Sequence, residues 1–347
     1  MNVTVVPDPL SPEAYRNRNW FESEREHLFN PNWLAVAHTS QLDGPGSYVA
    51  SDLNGSPVVI VVQRDRSLKG LSNVCRHRNY PVARGQGKAK CLTCPYHAWS
   101  YELDGRLRGA PYMEETPGFD RSEIALPEVK IEVWKEFIFA TLNPDAQPLA
   151  NQIQGLADEL EHCNIEKLSV VGTKVIDQNW NWKVMAENFS EGYHHTTQHP
   201  ETIPSHPAKL SQCLEPDDGP YWIYFNKGTN VEKPTELYGI GIFPHTLFSV
   251  VHGKTTGRTS VIWLHMQQPT ADTHRLAISF LAKDPTPMSE EQIEESLGFH
   301  YEDQYLCRET QRGLYSTLAT QPILCHSQET VLERFHGWIR AQFAGLN

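Results

Sequence analysis

The 347-residue sequence lacks several features that would each indicate a different class of protein. No apolar run approaches the roughly 20 residues that a membrane span needs. The first residues lack the basic and apolar segments of a secretory signal. Positive charge is in deficit, since 30 lysines and arginines stand against 42 acidic residues, for a net charge of −12. No basic field is therefore available to bind phosphates, and neither a membrane nor a nucleic-acid partner is expected.

Cysteine is too scattered to suggest a disulfide framework. The chain has seven cysteines, an odd number, and four of them lie far apart. Because free thiols persist in reducing compartments, this usage indicates a cytoplasmic protein. No flavin or nicotinamide fingerprint is visible, so a redox partner that uses those cofactors would be another chain.

Hydrophobic patterning divides the chain into three stretches. Residues 11–30 have helical periodicity, and residues 33–143 show short apolar runs broken by Gly, Pro, Asn and Asp, typical of a small all-β domain. Beyond residue 165 the pattern is mixed, with helices expected at 150–162, 183–195, from 289 and at 327–343, and strands at 221–225, 240–251 and 261–266. We therefore expect an α+β protein with an N-terminal helical part of the later domain at 1–33, a β domain at 34–146 and a mixed domain at 147–347.

Two cysteines and two histidines form a paired ligand pattern in the β domain. Cys75-x-His77 and Cys94-x-x-His97 each supply one thiolate and one imidazole. This is the ligand set of a Rieske [2Fe–2S] centre, in which two thiolates bind one iron and two imidazoles bind the other. Cys91 leaves an alternative open, because Cys91 and Cys94 with Cys75 or His77 could bind zinc. The protein would then be a zinc-stabilised binding module without redox chemistry.

A second cluster combines Glu191 with three histidines, His194, His195 and His199. Two histidines and a carboxylate can bind a mononuclear iron that keeps positions open for dioxygen. On a continuous helix, His195 and His199 would share a face at i, i+4. A chain with both an electron-transfer cluster and such an iron is expected to be an oxygenase. A pure Rieske electron carrier would not need the second cluster.

Both clusters resemble motifs of the Rieske non-haem iron oxygenases. Residues 75–78 and 94–99 are similar to the cluster signature of that family, and residues 181–200 are similar to its iron-binding stretch. The resemblance implies a Rieske [2Fe–2S] domain and a helix-grip catalytic domain, an antiparallel sheet with helices. It also implies that the iron ligands are His194, His199 and an acid about a hundred residues later, for which Asp303 is preferred and Glu302 is the competitor.

The resemblance assigns further roles near the iron. Glu191 would bridge His97 of one subunit to His194 of its neighbour, where most of the family has an aspartate. Glu187 and Asn188 would lie near the iron. Such a path requires head-to-tail assembly, most simply a homotrimer.

With glutamate at position 191, the sequence resembles the branch of the family that acts on choline, glycine betaine, carnitine and stachydrine. Aromatic faces bind trimethylammonium groups through cation–π attraction. Candidates are Phe189, Tyr193, Tyr221, Phe243, Phe248 and Trp263, with Trp222, Tyr224, Phe225 and Tyr238 also in the strands. Hydroxylation of an N-methyl group would give a hemiaminal that loses formaldehyde. Hydroxylation of an aromatic ring or an aromatic acid, by a mono- or dioxygenase, is the alternative.

The resemblance thus implies that the chain is the alpha subunit, or terminal oxygenase component, of a two-component system. It favours a monooxygenase or demethylase over a dioxygenase. Its expected cofactors are the Rieske cluster and mononuclear Fe(II), with dioxygen as co-substrate. A separate reductase with flavin and a ferredoxin-type centre would deliver electrons from NADH or NADPH.

Overall fold

The computed structural model describes residues 11–344, so the ends of the expected outer domains, residues 1–10 and 345–347, lie outside the described residues. The chain divides into two compact units. The insert comprises Ala35–Ala146, and the host comprises the chain up to Leu34 and from Gln147 on. Within the host, the indole N–H of Trp33 donates to the carbonyl of Gln147 at 2.9 Å. The chain therefore leaves and re-enters the host at adjacent points.

The insert consists of two β-sheets. Its strands are β1 (Leu34–His38), β2 (Ser47–Leu53), β3 (Ser56–Val62), β4 (Leu68–Ser72), β5 (Gln86–Lys88), β6 (Leu92–Thr93), β7 (Ser100–Tyr101), β8 (Leu107–Gly109), β9 (Glu128–Trp134) and β10 (Phe137–Thr141). Seven form a sheet in the order β1-β10-β9-β4-β3-β2-β5, and β6, β7 and β8 form the other. Single 3₁₀ turns lie at Thr39–Gln41 and Arg121–Glu123. The expected all-β domain is confirmed.

The core of the insert holds the two cysteines of the paired motif. Residues 58–62 of β3 are all buried, as expected for a continuous apolar run in a strand covered on both faces. Val59 and Val61 pack in one cluster with Cys75, Cys94 and Trp99. The cysteine side chains are therefore anchored in the hydrophobic core, whereas the residues that follow them are free to form loops.

The host combines an antiparallel sheet with helices. Its strands are β11 (Ser169–Gln178), β12 (Ser211–Leu214), β13 (Tyr221–Lys227), β14 (Thr235–Ile242), β15 (Thr246–Gly253), β16 (Thr259–Gln267) and β17 (His274–Ala282), in the order β11-β17-β16-β15-β14-β13-β12. Its helices are α1 (Arg18–Glu24), α2 (Leu149–Gln152), α3 (Gln154–Glu159), α4 (Trp182–Phe189), α5 (His195–Gln198), α6 (Glu290–Ser296), α7 (Gly298–Leu314) and α8 (Thr330–Phe343). A π-helical turn at Arg25–Phe29 follows α1, and 3₁₀ turns lie at Pro12–Tyr15, Glu161–Cys163, Ile165–Lys167 and Ala208–Leu210.

Buried polar contacts fix α4 against α1. Lys183 and Glu24 are both fully buried and form an ion pair at 2.5 Å. The indole N–H of Trp182 donates to the other carboxylate oxygen of Glu24 at 2.8 Å. Because an unpaired buried charge would be strongly destabilising, the pair holds the start of α4 in one position. This helix leads directly into the second histidine cluster.

Several expected elements are shorter than predicted. The helix expected at 183–195 ends at Phe189, and a separate turn, α5, begins at His195. Between them the Glu191 carboxylate accepts the backbone N–H of His194 at 3.1 Å, and Gly192 disfavours a continuous helix. The strand expected at 240–251 is two strands, β14 and β15, joined by a turn that contains Pro244. Among the helices of residues 11–344, none combines the length and apolar content needed to cross a bilayer.

Candidate functional site

The two Cys–His loops of the insert have the same backbone geometry. The carbonyl of Cys75 accepts the N–H of Asn79, four residues on, and the carbonyl of Cys94 accepts that of Ala98 at 3.0 Å. Asn79 and Ala98 both have left-handed φ values, 57° and 58°. Each loop therefore turns back on itself one or two residues after its histidine.

This geometry presents two buried thiols and two exposed imidazoles. Cys75 and Cys94 are 1% and 2% exposed, whereas His77 and His97 lie at the surface with ring centroids 4.6 Å apart. The hydroxyl of Tyr101 contacts the Cys75 sulfur at 3.2 Å and can donate to a ligand thiolate. The arrangement fits a [2Fe–2S] cluster with its thiolate-bound iron inside and its imidazole-bound iron at the surface.

Cys91 does not join a zinc site in the structure. Its sulfur contacts Thr93 at 3.7 Å, and all seven cysteines are free thiols. In residues 11–344, only one group of three or more Cys, His, Asp or Glu side chains converges on a single point, and it lies in the host. Ligands divided between two irons are not expected to converge on one point. The geometry thus favours the cluster over a mononuclear zinc site.

The converging group is His194, His199 and Asp303. Their ligand atoms lie within 4.8 Å of one another, with Asp303 Oδ1 at 3.4 Å from His194 Nε2 and 3.0 Å from His199 Nε2. His194 precedes α5, His199 follows it, and Asp303 lies on α7. Two imidazoles and one carboxylate form the donor set of a non-haem Fe(II) facial triad. The side chains present therefore fit a mononuclear iron.

Two further carboxylates hold the outer nitrogens of these imidazoles. His194 Nδ1–H donates to Glu191 at 2.5 Å, and His199 Nδ1–H donates to Glu302 at 2.5 Å. Burial lowers the pKa of His194, but the hydrogen bonds to Asp303 and Glu191 outweigh it and raise that pKa to about 9. Because each Nδ1 is held by an outer carboxylate, both Nε2 atoms face Asp303, which is the orientation that a shared metal requires. Glu302 lies outside the converging group and supports His199 instead.

The other residues expected at the iron divide into near and distant ones. The amide of Asn188 donates to Asp303 Oδ1 at 3.3 Å. Glu187 points away from this group and accepts hydrogen bonds from Tyr15 at 2.5 Å and His336 at 2.8 Å. His195 is outside the converging group, and burial lowers its pKa to about 4.

A cavity of about 290 Å³ opens beside the converging group. Of the six aromatic residues favoured for substrate contact, Phe189 lines it. Tyr193 is 54% exposed, and the other four are buried side chains outside the lining: Tyr221, Phe243, Phe248 and Trp263. The remaining aromatic lining residues are Tyr224, one of the broader strand set, and Phe299, which sequence reasoning missed. Phe299 lies four residues before Asp303 on α7, so helical spacing could have found it.

Comparisons with known families agree with this geometry. Residues 32–127 match the Rieske [2Fe-2S] domain, and residues 165–235 and 226–345 match the ring hydroxylating alpha subunit (catalytic domain). The chain belongs to the Rieske non-haem iron oxygenases. This oxygenase is therefore an enzyme that uses a Rieske cluster, a mononuclear iron and dioxygen. Members of the family act on small molecules and typically work with a reductase.

Individual relatives narrow the comparison. The oxygenase subunit of carnitine monooxygenase from Escherichia coli (strain K12) is 31% identical over 322 residues, covering 87% of this chain and 83% of that one. The same subunit from Acinetobacter baumannii is 29% identical over 315 residues, covering 87% and 84%. The crystal structure of the quaternary ammonium Rieske monooxygenase CntA with an inhibitor has a TM-score of 0.85 at 25% identity, covering 96% and 94%.

Proposed function

We propose that this oxygenase hydroxylates an N-methyl group of a small quaternary ammonium, betaine-like substrate and so demethylates it. The cavity carries the proposal. Phe189, Tyr224 and Phe299 line it together with the carboxylates of Glu191 and Asp303, and no lysine or arginine is among the described residues of its lining. Aromatic faces and nearby negative charge both favour a cation. The cavity volume of about 290 Å³ is at the lower end for a ligand site, which favours a small substrate.

Relatives support the same substrate class. Carnitine monooxygenase is among them, and CntA structures contain L-carnitine or gamma-butyrobetaine as substrate, with TM-scores of 0.81 and 0.83. Ring hydroxylation is the second candidate. Biphenyl dioxygenase subunit alpha from Paraburkholderia xenovorans (strain LB400) is 30% identical over 255 residues, and Leu237, Val251 and Ile262 add apolar lining. That match covers only 55% of the dioxygenase subunit, which favours the first candidate.

We assign the metal ligands as follows. Cys75, Cys94, His77 and His97 would hold the cluster, within a Rieske domain at 34–146. His194, His199 and Asp303 would hold the iron, within a catalytic domain formed by 1–33 and 147–347. The bound iron supplies oxygen activation, and Asn188, Glu191 and Glu302 orient its ligands from outside.

Glu191 is also proposed as the bridge to the neighbouring subunit's cluster. Its carboxylate accepts hydrogen bonds from His194 Nδ1 at 2.5 Å and from the His194 backbone N–H at 3.1 Å, and the side chain is 13% exposed, so a second imidazole could still reach it. A repeating contact of this kind closes into a ring, most simply a homotrimer. A flavin and ferredoxin-type reductase would supply electrons from NADH or NADPH. The seven free thiols support a reducing, cytoplasmic setting.

The purified holoenzyme with a competent reductase tests this function. Rieske absorption bands and about three irons per chain are expected, two in the cluster and one in the triad. Formaldehyde should form with carnitine, glycine betaine or choline, and no ring-hydroxylated product should form with benzene or biphenyl. The reverse pattern would establish the second candidate, and a zinc-only metal content would exclude both.

The bridge is tested with Glu191→Gln. Both metal centres should remain loaded, while single-turnover oxidation of the pre-reduced cluster, with substrate and oxygen present, slows steeply. Glu309→Gln is a matched control, because Glu309 is a carboxylate that pairs with Arg312 at the surface. Wild-type rates in the Glu191 variant, or an active monomer, would remove Glu191 from the path and the trimer with it.

A further inference from the structure

The cavity beside the iron ligands rests on the middle of the host sheet. Apart from the first two residues and the last residue of each strand, β14, β15 and β16 are buried at every position but four. These four are only half-buried, and all of them line the cavity: Leu237, Ser249, Val251 and Ile262. Positions in the middle of a sheet are exposed where nothing packs on them, so the cavity lies directly above these residues. Three of the four are apolar, which suits the aliphatic chain of a ligand.

One row of paired residues crosses the sheet beneath the cavity. Tyr224 of β13 pairs with Gly239 of β14, which pairs in turn with Ser249 of β15. Ser249 pairs with Ile262 of β16. Residues paired directly across strands share a face of the sheet, and all four line the cavity. Because the two inner residues are small and the two outer ones are large, the row forms a trough whose floor is Gly239 and Ser249.

The trough is closed at both ends of this row. The next residue beyond Tyr224 is Cys213 of β12, and the next beyond Ile262 is Phe280 of β17. Neither of them is among the lining residues of the cavity. Since neighbouring strands lie about 4.8 Å apart, the backbones of β13 and β16 are separated by about 14 Å. The side chains of Tyr224 and Ile262 shorten this span, so the trough has a definite length.

The Tyr224 end of the trough lies beside the iron ligands. The ring centroid of Tyr224 is 5.9 Å from that of His195, which is 5.0 Å from that of His194. The hydroxyl of Tyr224 contacts Ser211 at 2.7 Å, so the ring is held in place. A cation on this aromatic face is therefore close to the iron site, and the rest of the molecule can extend only towards Ile262.

We propose that Gly239 and Ser249 determine specificity by setting the length of substrate chain that the oxygenase accepts. The trimethylammonium head lies against Tyr224, and the aliphatic chain crosses the strands over Gly239 and Ser249 towards Ile262. A larger side chain on the floor shortens the trough, and a smaller one at Ile262 lengthens it. This inference rests on the proposed function and adds a length limit to it.

A homologous series of trimethylammonium carboxylates tests the length limit, from glycine betaine through gamma-butyrobetaine to longer chains. Dissociation constants are measured by calorimetry on anaerobic holoenzyme, and kcat/KM is measured with the reductase. Ser249→Val fills the floor, so the preferred length should shorten, and the longer members should lose about 10- to 200-fold relative to glycine betaine. Gly239→Ala should act in the same direction but more weakly, because its Cβ would lie 3.2 Å from Tyr224 Cδ1, which a small shift of the ring accommodates. Ile262→Ala should move the preference to longer chains.

Ser260→Val is the matched control, because Ser260 is an exposed serine of β16 outside the cavity lining. It should leave the length preference unchanged. The preference is a ratio between substrates on one protein, so a partly unfolded or iron-poor preparation does not alter it. If Ser249→Val did not fold, Gly239→Ala and Ile262→Ala would still shift the preference in opposite directions.

Two failures are distinguishable. The same length preference in the wild type and in the Gly239, Ser249 and Ile262 variants would overturn the inference and leave the proposed function standing. So would a shift to shorter chains in Ile262→Ala. If the wild type turned over no quaternary ammonium compound of any length, the proposed function itself would fail.

Discussion

A methyl group at Gly192 should disturb the segment that joins Glu191 to His194. A Cβ added to Gly192 would lie 1.9 Å from Tyr224 Oη, 2.7 Å from Tyr224 Cζ and 3.0 Å from Ser211 Oγ. Ordinary contact distances require the tyrosine or the segment to move by ~1.5 Å. Gly192→Ala is therefore predicted to destabilise the host and to lower turnover.

The magnitude follows from what must give way. Moving Tyr224 breaks the hydrogen bonds of its buried hydroxyl to Ser211 at 2.7 Å and from the Asn226 amide at 3.4 Å, and loss of both costs about 1–3 kcal/mol. Overpacking a filled site costs about 1–3 kcal/mol more. A total of ~2–6 kcal/mol corresponds to a fall in Tm of roughly 4–24 °C for a unit of this size. Iron content should fall less than turnover, because the ligands themselves are unchanged.

Differential scanning calorimetry of the holoenzyme measures this effect. Gly313→Ala is the control, since Gly313 lies in α7 and a Cβ there meets nothing within 4 Å. That change should stabilise the protein by about 0.5–1 kcal/mol. Tyr224→Phe removes the atom closest to the added methyl group. The double variant should therefore lose less free energy of unfolding than the sum of the losses in the two single variants. Strict additivity, or a Gly192 variant as stable and active as the wild type, would refute the steric argument.

Four other outcomes are expected. His77→Ala should abolish the Rieske spectrum and leave the mononuclear iron loaded, as visible absorption and metal analysis would show. His199→Ala should do the opposite, and His195→Ala should retain iron; iron lost only from the His195 variant would reverse the ligand assignment. Glu302→Leu should weaken Fe(II) binding about 10- to 100-fold in competition titrations, because the outer partner of His199 is removed. Burial lowers the pKa of His274 to about 4, so its contribution to stability is complete above pH 6.5 and is lost as the pH falls towards 4. In urea unfolding, the stability lost per pH unit in this range should be smaller in His274→Asn than in the wild type, by ~1.4 kcal/mol.

The metal-binding motifs could be read from sequence because their geometry is local. Each cluster loop closes within four residues. The spacing from Cys75 to His77 and from Cys94 to His97 is therefore enough to predict that each pair lies on one loop. His194 and His199 are likewise joined by one short turn. Choosing between Asp303 and Glu302 needed the packing of α7, because adjacent residues on a helix differ in direction by about 100°.

The substrate contacts could not be read in the same way. Residues 221–224 of β13 are all buried, so period-two alternation gives no indication of which side chains face the cavity. Tyr221 and Tyr224 point to opposite faces, and only the second lines the cavity. The pattern also does not predict that α4 ends at Phe189. The helix ends there because the Glu191 carboxylate accepts the His194 N–H in place of a helical carbonyl, a contact that hydrophobic periodicity does not reveal.

The short contact between Trp33 and Gln147 brings together the two points at which the host chain is interrupted, and such a junction favours domain insertion. Since the chain leaves and re-enters the host at adjacent points, a brief glycine-rich linker could span the gap that the insert now fills. The entropic cost of closing a loop rises by only about 0.6 kcal/mol for each doubling of its length. A long insertion therefore lowers the stability of the host only slightly. Such a junction lets a redox domain be gained, lost or exchanged during evolution without redesigning the fold that hosts it.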